Sequence, residues 1–468
     1  MEPSSLNAVN GKNPREIAAR LLQHRANGGD FIENLLDRAL AGSRLSSADR
    51  GLCQELVYGV VRWQAALDFL IEAKTPGRTQ KPALQTFLRL GLYQIFWLDR
   101  IPNHAAVNET VEQAKHSGFG PQAGFINAIL RGYLREFDAT KALLETLRQT
   151  RPAIGHSQPE WLIERWQKRW GAEKTAALLE WNNTPPQTFA RVNTLAAGQK
   201  DDLPRSAAQP AGAPSGTSEA PPSDEEFTGQ LLEQWRNEDV DYDFVRRDWF
   251  GENLVFELRA HPPLATLPSF QRGGFYVQDP STLLAVRELN PQPGETVLDL
   301  CAAPGGKTTY IAQRMRNQGG ILAHDPVPDR LKLIEENCRR LAVTCVKTTA
   351  NLEPGTKNQT FDRILIDAPC SNTGVLRRRV DLRWRIRPEE IDRLRATQLS
   401  LLRQAAPLLK PGGTLVYSTC SLEPDENQRV VEEFLSGQTA FKLENQRELV
   451  PFVDQVDGAF VARMVRVS

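Results

Sequence analysis

Two cysteines in the last third of the chain follow short apolar runs and are flanked by small polar residues. Cys370 lies in Asp367-Ala368-Pro369-Cys370-Ser371, and Cys420 lies in Tyr417-Ser418-Thr419-Cys420-Ser421. Free cysteines are usually small buried hydrophobes, an interpretation that suits Cys53 and others of the chain. A thiol between polar residues at the end of a strand is better placed for nucleophilic chemistry, because the thiolate is the reactive form. The pair is therefore a candidate catalytic site.

The chemistry of cytosine gives two thiols distinct tasks. Carbon 5 of a cytosine is too weak a nucleophile to accept a methyl group until something has added at carbon 6, and a thiolate suits that addition. A neighbouring carboxylic acid, here Asp367, would hydrogen-bond the ring nitrogen edge and stabilise the charge that develops during attack. After methyl transfer the carbon 5 proton must leave and the covalent bond must break, a step that a second thiol would assist.

A glycine-containing loop upstream is a candidate cofactor site. Asp299 ends a predicted strand, and Cys301-Ala302-Ala303-Pro304-Gly305-Gly306-Lys307 leads from it into a helix. Paired glycines let a ligand approach the backbone, and the helix start offers free N–H groups. Asp325, at the end of the next predicted strand, suits ribose hydroxyls and would repel phosphates. We therefore predict a phosphate-free nucleoside cofactor such as S-adenosylmethionine, bound by Cys301 to Lys307, by Asp325 and by Asp367 at the end of a later strand.

Other functions compete for the same loop. Gly306-Lys307-Thr308 nearly matches the phosphate-binding loop of P-loop NTPases, and Ile364-Leu365-Ile366-Asp367 is similar to their magnesium-binding strand. Cys301 replaces the first glycine of that pattern, which a cradle of consecutive N–H groups tolerates poorly. A plain tight turn and an RNA-binding scaffold without catalysis are the remaining alternatives. The scaffold would have no use for two cysteines and an acid at strand ends.

A parallel sheet is needed to hold these residues together. From residue 278 to 468, short β-rich runs alternate with helical patterns, which indicates an α/β doubly wound, Rossmann-like domain with helices on both faces. Its first strand is predicted at Glu295 to Leu300 and its third at Val343 to Val346. The carboxyl ends of its strands share one edge, and the fourth and fifth strands should be neighbours or nearly so. We expect Asp367, Cys370 and Cys420 at one crevice of that edge.

The upstream part of the chain has a different pattern. Residues 1–147 predict an all-α bundle, because a segment such as Ala83 to Leu98 is apolar nearly all round and belongs at the centre of one. Residues 148–277 predict a linker and a small mixed α+β subdomain. Within it, 16 of the 26 residues of 201–226 are Pro, Gly, Ser or Ala, which predicts a disordered insertion.

Composition excludes several classes of protein. The chain has 468 residues, with Lys+Arg and Asp+Glu equal at 57 each, so there is no global positive field. The six cysteines include no C-x-x-C pair, and no secretory pattern follows the acidic start, which favours a reducing cytoplasm. No apolar run reaches the roughly 18 residues of a membrane span, and no histidine pairs with a cysteine at ligand spacing. We expect a cytoplasmic monomer without a metal.

Several of these motifs also resemble those of known families. The catalytic half is similar to RNA cytosine-5 methyltransferases of the NOL/NOP/Sun type in Asp299 to Thr309, Asp367 to Ser371, Thr419 to Ser421, Arg191 to Thr194 and Val277 to Asp279. The helical start resembles the antitermination factor NusB in Glu55 to Arg62, Leu88 to Gln94, His104 to Glu109 and Gly124 to Arg131. This combination resembles the RsmB (Sun/Fmu) family of bacterial small-subunit rRNA methyltransferases.

The resemblance implies a class I methyltransferase fold, S-adenosylmethionine as cofactor and small-subunit (16S) ribosomal RNA as partner. It also implies that Cys420 is the nucleophile and that Cys370 helps to release the product, whereas DNA cytosine methyltransferases attack with a Pro-Cys cysteine. One position departs from the family pattern: Ala350 aligns with an aspartate near the adenine. Thr349 or Asn351 would then supply the side-chain oxygen.

An arginine-rich segment follows the first catalytic cysteine. Residues 377–387 contain six arginines, one acid and Trp384. Such a run is usually a solvated face. Its position just after Cys370 favours RNA contact instead, since guanidinium groups pair with phosphates and stack on bases.

Overall fold

A computed structural model of the chain describes residues 13–41, 43–198, 223–352 and 360–467. The chain forms two compact units, Met1–Pro185 with Leu376–Ile386, and Pro186–Val375 with Arg387–Ser468. Most of the predicted insertion at 201–226 lies outside the described residues. Its last four residues are ordered, because Ser223 and Glu226 form a capping box at the start of a helix.

The helices are, in chain order, α1 (Pro14–Ala26), α2 (Ile32–Ala41), α3 (Ser47–Arg62), α4 (Gln64–Lys74), α5 (Pro82–Trp97), α6 (Asn103–Ala114), α7 (Ala123–Arg135), α8 (Phe137–Thr150), α9 (Pro152–Gly155), α10 (Glu160–Asn183), α11 (Asp224–Asn237), α12 (Pro268–Gln271), α13 (Leu283–Leu289), α14 (Gly306–Arg314), α15 (Pro328–Arg340), α16 (Leu382–Arg385), α17 (Pro388–Ala405), α18 (Gln428–Ser436) and α19 (Pro451–Asp454). The strands are β1 (Thr188–Val192), β2 (Asp241–Val245), β3 (Val255–Ala260), β4 (Phe275–Val277), β5 (Thr296–Leu300), β6 (Gly320–His324), β7 (Val346–Thr349), β8 (Phe361–Asp367), β9 (Leu409–Thr419), β10 (Phe441–Leu449) and β11 (Ala459–Arg466).

The first unit is the all-α bundle that the sequence predicts. Its central helix is α5, whose Phe87, Leu88 and Leu92 are fully buried, and α5 packs against α1, α3, α4, α6 and α7. The unit runs past the predicted boundary at residue 147, which falls inside α8.

The arginine-rich segment belongs to this helical unit, and the prediction that its arginines contact RNA is wrong for Arg377 and Arg383, which are buried. Arg383 donates hydrogen bonds to Asn183 Oδ1 and to the carbonyl of Asn182, both at 2.9 Å. Fully buried Asp381 lies 2.6 Å from Arg25 Nε and accepts the Ile32 N–H at 3.0 Å. Buried polar contacts therefore hold Arg383 and Asp381, while Arg379 and Arg387 are exposed.

The second unit contains two sheets. The smaller sheet is antiparallel in the order β2-β3-β1-β4, in agreement with a small mixed subdomain. The larger sheet has the order β10-β11-β9-β8-β5-β6-β7. Strands β5 to β9 are parallel, whereas β11 runs antiparallel to both β9 and β10, so the sheet is mixed rather than wholly parallel.

The third strand of the large sheet begins later than the sequence predicts. We expect it at residues 343–346, but β7 begins at Val346. Residues 341–345 form the turn after α15 instead: Ala342 has φ 57° and the Val343 N–H donates to the Cys338 carbonyl at 2.8 Å. β-branched residues therefore lie in the turn as well as in the strand.

Candidate active site

The order of the large sheet brings the predicted catalytic residues together. β8 lies between β5 and β9, and Asp367 at the end of β8 pairs with Ser418 near the end of β9. The Cys370 and Cys420 sulfur atoms, which follow these two strand ends, are 3.4 Å apart. Both cysteines and Asp367 thus share one edge of the sheet.

The hydrogen bonds of the two thiols differ. The Cys420 thiol donates to Asn372 Oδ1 at 3.1 Å, so its sulfur is left as an acceptor for the Cys370 thiol across the 3.4 Å gap. The hydrogen bond with Cys420, and then burial, raise the pKa of Cys370 well above its ordinary value. Cys420 is partly exposed. In this arrangement the Cys370 S–H is directed at Cys420, and Cys420 is the more exposed of the two thiols.

An ion pair lies beside the cysteines. Lys307 Nζ is 2.7 Å from Asp367 Oδ2, with the Asp367 side chain about a third exposed. Burial by itself lowers the pKa of Lys307, but the Asp367 carboxylate outweighs burial, Cys420 adds to its effect, and the pKa is raised overall. Lys307 was predicted for the cofactor loop, and the structure places its ammonium toward Asp367 and the cysteines. Lys307 and Asp367 thus form an ion pair at the same sheet edge as the two cysteines.

The glycine loop follows β5 and is closely packed. Its first residue, Cys301, has φ 60°, Gly305 has φ 101°, and a side chain at Gly305 or Gly306 would be crowded by its neighbours. A Cβ on Gly305 would lie 3.3 Å from the Ile334 Cα, and one on Gly306 would lie 3.0 Å from the Tyr276 ring. The glycines therefore set the path of the backbone into α14.

Asp299 lies fully buried beneath this loop. Its Oδ2 accepts the Thr308 hydroxyl at 2.6 Å, while its Oδ1 has no hydrogen-bond partner in the described parts of the chain. Burial, with a smaller contribution from Asp367, raises the pKa of Asp299 to about 7. A buried acceptor without a partner is costly, which indicates a ligand group that completes the site.

Asp325 follows β6 and is also fully buried. Its Oδ1 accepts the Val327 N–H at 3.1 Å, and its Oδ2 lies 3.1 Å from Arg330 Nη1. Arg330 also donates to the Ala303 carbonyl at 2.9 Å, so it ties Asp325 to the glycine loop. On the adenine side predicted from the sequence, the Thr349 hydroxyl is engaged in a local turn, where it donates to the Asn351 carbonyl at 2.7 Å.

These residues fit S-adenosylmethionine better than a triphosphate. Three carboxylates, Asp299, Asp325 and Asp367, surround the loop, and they would repel phosphates. The unpartnered Oδ1 of Asp299 and the carboxylate of Asp325 are acceptors for an ammonium group and for ribose hydroxyls. In the described ranges there is no cluster of His, Cys, Asp and Glu side chains that could hold a metal ion.

Sequence reasoning missed Glu426, which is fully buried behind both cysteine loops. Its Oε1 accepts the Ser371 N–H at 2.8 Å and the Gln398 amide at 3.1 Å. Its Oε2 accepts the Ser421 hydroxyl at 2.5 Å and the Ser371 hydroxyl. The one available signal was an acid six residues after Cys420 in an otherwise polar turn.

The sequence also gave no structural role for Arg191, which is fully buried under the cofactor loop. Its guanidinium donates to the Gly306 carbonyl at 2.9 Å and to the Thr309 hydroxyl at 3.1 Å, and it lies 4.9 Å from the centre of the Tyr310 ring. Arg191 therefore fastens β1 of the small sheet to the start of α14.

Comparison with known proteins agrees with this site. A model described as 16S rRNA methyltransferase RsmB/F matches residues 286–465, one of the NusB family matches 12–135, and one of a ferredoxin-like domain of RsmF/B-like methyltransferases matches 158–205. The probable ribosomal RNA small subunit methyltransferase B of Bacillus subtilis is 35% identical over 438 residues, 92% of this chain and 89% of that protein. The chain belongs to the RsmB/F family.

Other members and a solved structure extend this likeness. The protein of the same description from Synechocystis is 35% identical over 480 residues, which cover 96% of this chain and 98% of that protein. The crystal structure of a methyltransferase homolog protein from Pyrococcus horikoshii matches with a TM-score of 0.53 and 29% identity over 67% of this chain and 97% of that one. Membership in a family of small-subunit rRNA methyltransferases disfavours both the NTPase and the non-catalytic scaffold. Within the described ranges no helix is long and apolar enough to cross a membrane.

Proposed function

We propose that this enzyme transfers a methyl group from S-adenosylmethionine to carbon 5 of a cytidine in 16S ribosomal RNA, through a covalent bond between Cys420 and the pyrimidine. The observation that carries the proposal is the pair of sulfur atoms 3.4 Å apart, in which Cys420 is the acceptor. Family membership supports the rRNA substrate, and the chemistry of the site supports carbon 5.

The residues divide the reaction between them. The Cys420 thiolate adds to carbon 6, with Lys307 stabilising the thiolate before attack. Asp367, the carboxylate paired with Lys307, accepts a hydrogen bond from the amino group at the ring nitrogen edge and orients the cytosine. Once carbon 5 carries the methyl group, the proton that remains on carbon 5 passes to a base. The bond between Cys420 and carbon 6 then breaks. Cys370 stabilises the departing Cys420 thiolate through an S–H hydrogen bond, so Cys420 leaves in the form in which it attacked.

Bound S-adenosylmethionine supplies an electrophilic methyl group. Asp299 and Asp325 would hold its ammonium and ribose hydroxyls, and the backbone of Cys301 to Lys307 would pass close beside it. These assignments are supported by the two buried carboxylates and by the lack of room for a side chain at Gly305 and Gly306.

The remaining parts of the proposal concern partner and location. The match of residues 12–135 to the NusB family supports rRNA binding by the helical unit. The six cysteines are all unpaired, which suits a reducing cytoplasm. We expect the enzyme to act as a monomer.

Substitution of each cysteine tests the covalent step. With Cys420→Ala, neither methylation nor an RNA adduct should form, since no thiolate reaches carbon 6. With Cys370→Ala, attack and methyl transfer proceed while release stalls, so a methylated adduct that survives denaturing electrophoresis should accumulate. Cys345→Ala, on the same unit but away from the sheet edge, is the control and should resemble the wild type.

The opposite pattern would reverse the roles. An adduct with Cys420→Ala and none with Cys370→Ala would mean that Cys370 attacks, as in DNA cytosine methyltransferases. If the wild type forms no adduct even with RNA that contains 5-fluorocytidine, from which the carbon 5 substituent cannot leave, covalent catalysis is wrong for this enzyme.

A further inference from the structure

Glu426 is a buried carboxylate that the proposed reaction does not use. Four donors converge on its two oxygens: the N–H and hydroxyl of Ser371, the hydroxyl of Ser421 and the side-chain amide of Gln398. Ser371 and Ser421 each follow one of the two cysteines directly in the chain. A single carboxylate therefore holds both cysteine loops from behind.

The donor set matches an ionised glutamate. The Ser371 N–H and the Gln398 amide can only donate, and both are directed at Oε1, while the two serine hydroxyls at Oε2 are oriented to donate to a carboxylate. Burial raises the pKa of Glu426, and the hydrogen bonds from Ser371 and Ser421 oppose that rise. A negative charge held here lies next to the Cys370 backbone.

The charges around the two thiols are unequal. The Lys307 ammonium, paired with Asp367, interacts with Cys420. On the other side, the Glu426 charge acts on Cys370 and disfavours a second negative charge there. The Tyr417 hydroxyl donates to the backbone carbonyl of Glu426 at 2.6 Å. The groups that face the thiols are thus positive beside Cys420 and negative behind Cys370.

We propose that Glu426 is a positioning residue that keeps Cys370 in its thiol form, so that Cys370 donates its S–H to Cys420 and the attacking thiolate forms on Cys420. Glu426 is fully buried, and it acts through the two loops that it binds. The inference deepens the proposed function and rests on it for the identity of the attacking group. The protonation of Cys370 itself depends on neither RNA nor cofactor.

The test is a titration of the Cys370 thiol by thiolate absorbance at 240 nm. It uses the full chain carrying Cys420→Ala, which removes the partner thiol, with the double variant Cys370→Ala and Cys420→Ala as the blank. Adding Glu426→Gln should lower the midpoint of the Cys370 titration by about one pH unit or more, the size expected for loss of one nearby charge. Glutamine has nearly the same shape, and the two serine hydroxyls can turn to accept from its amide.

A matched control separates charge from packing. Glu432, exposed on α18, is changed to glutamine in the same background and should leave the midpoint unchanged. An unchanged or raised midpoint with Glu426→Gln overturns the inference. If Glu426→Gln fails to fold, Glu426→Asp and Glu426→Asn replace it, because these two variants differ in charge but are equal in size. The Cys370 titration must then have the higher midpoint in the Glu426→Asp variant.

The two proposals fail separately. If Glu426→Gln lowers the midpoint but wild-type enzyme forms no adduct with RNA containing 5-fluorocytidine, the proposed covalent reaction is wrong and the role of Glu426 in the thiol pair stands. If the adduct forms and the midpoint does not fall, the reaction stands and the role of Glu426 is wrong.

Discussion

Asp299 makes the stability of the catalytic unit depend on pH in a direction opposite to that of most aspartates. Burial raises its pKa to about 7 in the folded chain from an ordinary value of 3.8. A raised pKa means that the folded state holds a proton that the unfolded state has already released between these two values. Stability from this group is therefore complete below pH 3.8 and is lost as the pH rises toward 7.

The size of the effect follows from the shift. A change of one in pKa corresponds to about 1.4 kcal/mol. At pH 8, where Asp299 is ionised in both states, its raised pKa therefore lowers the free energy of unfolding by about 4 kcal/mol. At pH 5 Asp299 lowers the free energy of unfolding by about 2 kcal/mol, because it is ionised only in the unfolded state. Asp299→Asn keeps an acceptor for Thr308 and carries no charge. It should stabilise the sheet by about 2 kcal/mol more at pH 8 than at pH 5.

Hydrogen exchange of amides in β5 measures this difference. The two units of this chain make a single free energy of unfolding ill defined, whereas exchange reports the local opening of the strand. Comparing variant and wild type at the same pH cancels the intrinsic pH dependence of exchange. Asp362→Asn is the matched control: the pKa of Asp362 is lowered to about 2, because its hydrogen bonds with Lys410 and Thr296 outweigh burial. Asp362→Asn should therefore change the stability of the strand by the same amount at pH 5 and at pH 8.

Equal stabilisation by Asp299→Asn at both pH values would refute this reasoning, since Asp299 would then be ionised in the fold at pH 5. The same variant should bind S-adenosylmethionine about tenfold more weakly, because the amide replaces a charged acceptor. Stability gained together with affinity lost is the outcome expected of a group that is kept for its ligand.

Three further outcomes are expected. Asp325→Ala should weaken S-adenosylmethionine binding by about tenfold in calorimetry through lost ribose hydrogen bonds, and tight binding of ATP with magnesium in place of the cofactor would contradict the site assignment. Deleting residues 204–222 should leave the melting temperature and methylation nearly unchanged, whereas a deletion extended through Glu226 removes the capping box and should cost about 1 kcal/mol of helix stability. Arg383→Met should destabilise the helical unit by about 2–4 kcal/mol, because it strips hydrogen bonds from buried carbonyls, with no change in cofactor affinity.

Much of the secondary structure could be predicted because its signals are local. The first strand of the small sheet is predicted at Thr188 to Val192 and is observed there, and β5 begins within one residue of its prediction. The glycine loop is recognisable because a strand-to-helix turn with close backbone contacts requires glycine at defined positions. The predicted start of β7 was wrong because Val343 has a high strand propensity. Val343 lies instead in a turn that is set by packing after α15.

The arginine-rich segment shows where a local pattern fails. A run of charge predicts a solvated face or a nucleic-acid contact, since the sequence does not indicate which carbonyls will meet it. The partners of Arg383 are 200 and 201 residues away along the chain. Only the packing of the helical unit supplies enough acceptors to bury the guanidinium.

The sequence by itself determined which chemical groups stand at the strand ends: two thiols, Asp367 and the glycine loop. Tertiary structure alone decided that the thiols, 50 residues apart in the chain, are 3.4 Å apart in space, and that Glu426 lies behind both. The physical reason is that residue type and strand propensity are properties of short segments. The order of strands, and therefore every distance and charge that separates one thiol from the other, depends on how the whole sheet packs.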